Sequence, residues 1–172
     1  KFVKNITTRP LRDFVKENLF NILENSNLYN LKLTDSYVLD LFCGVGSFGI
    51  ECLSRQVKKV FFVDNSQEAL NILEENLIKL DLMKRSEIIK SQILIFFKNT
   101  IVKNKINLVF LDPPYAEQNI SFILNKLKNS NFIKKNALVI IHRESSSDDD
   151  LNLLNNKMIR DYGRSRLILG NF

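Results

Sequence analysis

The sequence predicts an α/β domain with a mostly parallel sheet. Three observations predict it. Short apolar runs alternate with amphipathic stretches from residue 37 to about residue 142. One such run, "VLDLF", passes directly into "CGVGSFG", a glycine loop that opens a helix. A later run, "INLVFL", stops on Asp112-Pro113-Pro114-Tyr115, which carries far more chemistry than a turn needs.

Taken in order, "LRDFVKENLFNILEN" puts Phe14, Leu19, Ile22 and Leu23 near helical spacing, with Arg12, Lys16, Glu17 and Asn21 outward. "YVLDLF" is a short continuous apolar run, the pattern of a central parallel strand. "SFGIECLSR" reads as a helix and "KVFFVD" as a strand. "SQEALNILEENLIKL" is a helix with Ser66 as N-cap and Ala69, Leu70, Leu73, Leu77 and Leu80 inward. "SEIIKS" is a weak strand, and "QILIFFKNT" is read as a helix against its aromatic content. "INLVFL" is a strand, "ISFILNKLKNS" a helix, and "ALVIIHRE" a strand with His142 expected at its surface end. Residues 143–151, including "SSSDDD", are a polar, solvated loop. "KMIRDYG" and "SRLILGNF" are two strands joined at Gly163, close enough to form a hairpin and add an antiparallel edge.

The 172 residues suit one domain spanning 1–172, with 1–25 as an N-terminal segment and helix. No apolar run approaches the ~18 residues of a membrane span. "KFVKNITTRP" lacks the apolar core of a signal peptide. Cys43 and Cys52 make no disulfide framework and no zinc spacing. The expectation is a soluble, cytoplasmic, metal-free monomer. A net charge of +6 favours a polyanionic partner.

"GVGSFG" places Gly44, Gly46 and Gly49 as G-x-G-x-x-G between a strand and a helix, and Asp64 ends the next strand. The bland alternative is a turn built for close helix packing. As a ligand site, the loop offers backbone N–H groups, and Asp64 can accept from two ribose hydroxyls. NAD and S-adenosylmethionine both carry the adenosine this implies. Asp40, inside the first strand, favours the second: a carboxylate repels a pyrophosphate but attracts an ammonium and a sulfonium. It could also brace the loop from within. Phe42 can wall the ligand and Cys43 reads as a small filler. Ser47, Asn65, Ser91 and Gln92 stand at the neighbouring strand ends and helix starts.

Ends of parallel strands line the ligand crevice, so Asp112 is expected beside the donor. An exocyclic amine on a base is a poor nucleophile because its lone pair is delocalised. The Asp112 carboxylate can accept from one of its hydrogens and the Pro113 carbonyl from the other. Pro113 and Pro114 fix φ and add no competing N–H. Tyr115 offers a face for an extruded base.

"VLDLFCGVGSFGIECLSR" with "LVFLDPPY" resembles the Rossmann-like, S-adenosylmethionine-dependent amino-methyltransferases. With "RPLRDFVKENLFNIL" and "DYGRSRLIL" in the same order, the chain resembles the RsmD-type bacterial small-subunit ribosomal RNA guanine-N2 methyltransferases along nearly its whole length. The resemblance implies a seven-stranded sheet of order 3-2-1-4-5-7-6, last strand antiparallel, with helices on both faces. It implies S-adenosylmethionine as donor and a guanine amine in ribosomal RNA, naked or in the small subunit, as acceptor. Asp40, Phe42, Gly44, Gly46 and Asp64 match the donor site, and Asp112 to Tyr115 the catalytic block. Arg9, Pro10, Lys16 and Glu17 match the N-terminal motif. Arg9, Arg12 and Lys16, with Arg164 and Arg166, are the expected RNA contacts. Two departures stand out. Leu11, Arg12 and Phe14 occupy variable places of the N-terminal motif, and Ser91-Gln92 replaces the acid that usually meets the adenine amine. The rival readings are an adenine-N6 enzyme on DNA or RNA, an RNA-binding module with an inert donor site, and a dehydrogenase.

Overall fold

Seven strands hydrogen-bond into one sheet of order β3-β2-β1-β4-β5-β7-β6. The structure is a computed structural model that describes residues 13–25, 29, 31–99, 102–114 and 116–172. β1 (Tyr37–Leu41), β2 (Lys59–Asp64), β3 (Ser86–Lys90), β4 (Ile106–Leu111) and β5 (Ile133–Glu144) run parallel. β7 (Ser165–Asn171) is antiparallel to β5, and β6 (Asn155–Tyr162) pairs antiparallel on its outer side. Gly163, at φ 63°, gives the tight link between β6 and β7 the positive φ that such hairpin loops need. The expected order and the antiparallel last strand are both present.

Side chains alternate between the faces of the sheet, and each face has its own helices. Val38, Val60, Phe62, Leu108, Phe110 and Ile140 meet α1 (Asp13–Asn25), α2 (Ser47–Ser54) and α3 (Gln67–Lys79). Leu39, Phe61, Val63, Val109, Leu111 and Val139 meet α4 (Ile93–Asn99) and α5 (Ile120–Lys128). The central strands are apolar on both faces because both faces are covered. Their tips, left outside the helical layers, are where polar side chains collect.

Two expected core residues are outside the core. Phe14 is 66% exposed and meets Tyr162 edge-on, ring centroids 6.0 Å apart. The inward stripe of α1 is Val15, Leu19 and Leu23 with Phe20, at i, i+4 and i+8, one position later than a stripe starting at Phe14. Leu80 is exposed because α3 ends at Lys79 and Leu80 is its C-cap, off the buried Ala69, Leu70, Leu73 and Leu77 stripe. Ser66 is the N-cap as expected, accepting from the Ala69 N–H at 3.3 Å. The polar loop starts later than residue 143, because β5 continues through Glu144.

A ladder of three rings joins the helical layer to the strand tips. Phe20 of α1 stacks on Phe48 of α2 at 5.4 Å, and Phe48 on Phe110 of β4 at 4.1 Å. Phe48 follows the glycine loop, and Phe110 stands two residues before Asp112. All three are buried. Phe48→Ala is therefore expected to cost about 3–5 kcal/mol. Urea unfolding should show a lower midpoint with an unchanged slope.

Candidate active site

The glycine loop turns through three left-handed residues: Phe42 (φ 58°), Gly44 (φ 52°) and Gly46 (φ 78°). The non-glycine Phe42 carries backbone strain of the kind that gathers at functional sites. Gly46 needs its lack of a side chain twice over. Its φ is left-handed, and a Cβ there would lie 2.4 Å from Leu73 Cδ1. At Gly49 a Cβ would lie 2.2 Å from Phe62 Cε1, so that glycine allows α2 to lie close on β2. At Gly44 a Cβ would meet nothing within 4 Å, so the outer edge of the loop is open. Packing thus explains two of the three glycines, and open space is left at the first.

Asp64 ties the loop to the neighbouring strand. Its Oδ2 accepts from Gly44 N at 2.8 Å and its Oδ1 from Ser66 N at 2.9 Å. The Asp64 carbonyl accepts from Ser91 N at 2.9 Å, which holds the end of β3 beside it. Phe42, Asp64, Asn65, Ser91 and Gln92 line one cleft of about 420 Å³, together with Phe122 of α5. Five residues singled out as donor contacts therefore share one cavity. The Gln92 carbonyl accepts the N–H groups of Ile95 and Phe96 and so starts α4. Glu117 and Asn119 also line the cleft, which sequence reasoning did not anticipate.

Asp40 is 1% exposed, and its Oδ2 accepts from Gly49 N at 3.0 Å. The brace reading is thus what the geometry contains. Burial pushes its carboxyl well above the usual range; the Gly49 hydrogen bond opposes this, and the charges of Asp112 and Asp64 add to it. Asp40, Asp64 and Asp112 lie at or near the ends of β1, β2 and β4, on the same side of the sheet by alternation, and Asp40 feels the other two. Cys43 is buried; burial first, then Asp40 and Asp64, push its thiol up, away from thiolate chemistry.

Asp112 is held by the neighbouring strand tip. Its N–H donates to the Leu41 carbonyl at 3.2 Å, one residue before Phe42. Its Oδ1 lies 2.8 Å from His142 Nδ1. His142 is not at the surface, as expected, but 5% exposed and within β5. β4 and β5 pair Leu111 with Ile141, so the next residues, Asp112 and His142, stand side by side. Two further residues were missed. Arg143 is buried, pairs with Asp149 through Nε–Oδ2 at 2.8 Å and Nη2–Oδ1 at 3.2 Å, and donates to the carbonyls of Pro114 (3.3 Å) and Glu117 (2.8 Å). Asp149 comes from "SSSDDD", so that stretch is not wholly solvated: one of its acids is a buried ion partner. The Pro114 carbonyl also takes the Glu117 N–H at 2.8 Å, while that of Pro113 has no partner among the described residues.

The expected RNA contacts are less uniform. Lys16 Nζ lies 3.5 Å from Ser47 Oγ and 3.4 Å from Asp13, so it points at the start of α2 beside the glycine loop. Arg166 is engaged bidentately by Asp161 at 2.7 and 3.1 Å, and that hydrogen bond chiefly raises its own basicity. Arg164 is exposed at the β6–β7 turn. The Phe14–Tyr162 contact sets that turn against the start of α1. Arg9, Pro10, Arg12 and Tyr115 lie outside the described residues.

The fold and these strand tips define a Rossmann-like methyltransferase: seven strands in this order, a glycine loop with its acid, and Asp-Pro-Pro at the adjoining tip. The chain belongs to the family described as conserved hypothetical protein 95, whose profile matches residues 1–171 and which is the RsmD-type family. It is 38% identical over 141 residues to ribosomal RNA small subunit methyltransferase D of Haemophilus influenzae, covering 79% of this chain and 68% of that protein. A crystal structure of a Haemophilus influenzae protein described as a methylase superposes with a TM-score of 0.74 at 31% identity, over 92% of this chain and 96% of the other. An S-adenosylmethionine-dependent methyltransferase from Clostridium acetobutylicum superposes with a TM-score of 0.57 at 25% identity, over 88% and 58% of the two chains.

The burial of Asp40 makes a pH-dependent prediction. A carboxyl whose folded value is raised binds its proton more tightly in the folded state. Stability is then highest below the unfolded value of about 3.9 and falls as pH rises towards the folded value. Asp40→Asn removes that fall and keeps an oxygen for Gly49 N. The ligand-free variant should gain in Tm relative to the parent as pH rises from 4 to 8, and show no gain at the acid end. Calorimetric melting across that range checks it; a constant difference would contradict the assignment.

Proposed function

We propose that residues 1–172 act as one methyltransferase domain that moves a methyl group from S-adenosylmethionine to the exocyclic N2 amine of a guanine in small-subunit ribosomal RNA. The carrying observation is the placement of Asp112. It is tethered to the tip of β1 one residue from Phe42, which lines the cleft, and its side chain is 24% exposed. The residues fit the donor. The cleft has room for an adenosine, Asp64 stands where ribose hydroxyls can share its carboxylate, and the acids at the strand tips favour a cation over a pyrophosphate. When bound, S-adenosylmethionine would supply a methyl group on a positively charged sulfur, the S–C bond breaking with its electron pair left on the neutral thioether of S-adenosylhomocysteine.

The chain's own residues then act on the amine. The Asp112 carboxylate accepts from one amine hydrogen and the Pro113 carbonyl, without a partner among the described residues, from the other, which draws the nitrogen lone pair out of the ring. As the N–C bond forms, the nitrogen sheds a proton towards Asp112 and on to solvent. Tyr115 stacks the extruded base. Lys16 and Ser47 bear on the donor loop, whereas Arg9, Arg12 and Arg164 hold phosphates, with the exposed Phe14 beside the turn that carries Arg164. The relative's name supports ribosomal RNA as the substrate. The setting is cytoplasmic; among the described residues no helix is long and apolar enough to cross a membrane.

The test is incubation with labelled donor and unmodified ribosomal RNA, followed by nucleoside mapping. N2-methylguanosine is expected, and Asp112→Ala should lower the transfer rate by about 10²–10⁴-fold, a far larger effect than on donor affinity. N6-methyladenosine would replace the guanine reading by the adenine one. Transfer at the normal rate by the Ala variant would remove Asp112 from the chemistry.

A further inference from the structure

Two consecutive residues of β5 hold the Asp-Pro-Pro segment, one from each face of the sheet. Arg143, on one face, donates to the Pro114 carbonyl and is fixed by Asp149. His142, on the other, meets the Asp112 carboxylate through Nδ1 at 2.8 Å. The second ring nitrogen is unusual. Nε2 of His142 is buried and has no hydrogen-bond partner among the described residues.

The hydrogen positions follow from what each atom can do. A carboxylate only accepts, so the proton between the two groups is carried by Nδ1. A second proton on Nε2 would be a buried donor without an acceptor, which is costly. The tautomer with its proton on Nδ1 is the one that matches these partners among the described residues. No hydrogen bond to Asp112 Oδ2 is made among the described residues, and the side chain keeps contact with solvent.

From this we infer that His142 is a positioning residue for the transfer: by donating from Nδ1 to Oδ1 of Asp112 it fixes the carboxylate and turns Oδ2 towards the substrate amine. The inference rests on the methyl-transfer reading above. A carboxylate free to rotate at the end of a strand would spend much of its time misaligned. The clamp removes that freedom before substrate arrives, and Arg143 does the same for the backbone two residues on.

The chain has one histidine, so its ring nitrogens can be read without ambiguity by ¹⁵N magnetic resonance on the full-length protein. The Nδ1–H tautomer is expected, with a shifted Nδ1 signal in Asp112→Asn. In the transfer assay, His142→Ala should lower kcat by about 10- to 100-fold, the scale of one hydrogen bond to a charged group, with the RNA KM and donor affinity unchanged. His142→Asn, whose amide can donate from near the Nδ1 position, should recover most of the rate. On an Asp112→Ala background, His142→Ala should have no further effect. A normal kcat for His142→Ala would overturn the inference, as would an equal loss on the Asp112→Ala background, or an Asn variant no better than Ala. If His142→Ala does not fold, the unsubstituted protein decides: an Nε2–H tautomer in an active enzyme overturns the clamp. Absence of transfer by the unsubstituted protein would instead contradict the methyl-transfer reading and carry the clamp down with it.

Discussion

The structure turns on three acidic side chains gathered at the strand tips, none of them paired with a lysine or arginine among the described residues. Asp40 is buried, Asp64 and Asp112 are close enough to raise its proton affinity, and the partners of the three acids among the described residues are backbone N–H groups and one imidazole. A fold that stability alone had shaped would not gather acids in this way. Each dipolar partner fixes a carboxylate's direction without cancelling its charge. The arrangement makes sense if a cation completes it, and a sulfonium with an ammonium is such a cation.

Much of the scaffold can be read as a means of holding those carboxylates in place. Alternation along β1, β2 and β4 turns the three acids to one side, and register sets their depth. Gly46 and Gly49 let α2 settle on β2 closely enough for Gly49 N to reach Asp40. The Phe20–Phe48–Phe110 stack carries that packing from α1 across α2 to the strand that ends at Asp112. β5 then grips the Asp-Pro-Pro segment through His142 and Arg143. Among the described residues, Arg164 faces solvent, whereas Lys16 reaches the start of α2 and the buried Arg143 is paired with Asp149.

The strands, most helices and the candidate cleft were legible in the sequence because they depend on local signals: apolar runs, a glycine spacing, an acid at a strand end; the sheet order was legible only through the family resemblance. Phe42, Asp64, Asn65, Ser91 and Gln92 line one cleft as those signals implied. What was not legible depends on register between distant strands. Nothing near His142 in the chain points to Asp112; only the pairing of Leu111 with Ile141 brings them together. Asp149 sits in a run that composition alone marks as solvated, and its burial follows from Arg143 needing a counter-charge. Phe14 and Leu80 failed for a simpler reason. Each lies at a helix end, where one residue of offset turns a side chain from core to solvent. The basic residues were the hardest to assign, since charge does not reveal pairing: Arg166 is occupied by Asp161, and Lys16 leans on the donor loop.

The most direct test of the charge at the strand tips is calorimetric titration of the full chain, without RNA, with S-adenosylmethionine and with NAD under the same conditions. Both ligands carry an adenosine that the cleft and Asp64 can take, so the comparison isolates what lies beyond the ribose. If the acids serve a cationic donor, S-adenosylmethionine gives a saturable one-to-one heat and NAD gives none. Saturable binding of NAD with no heat from S-adenosylmethionine would contradict it.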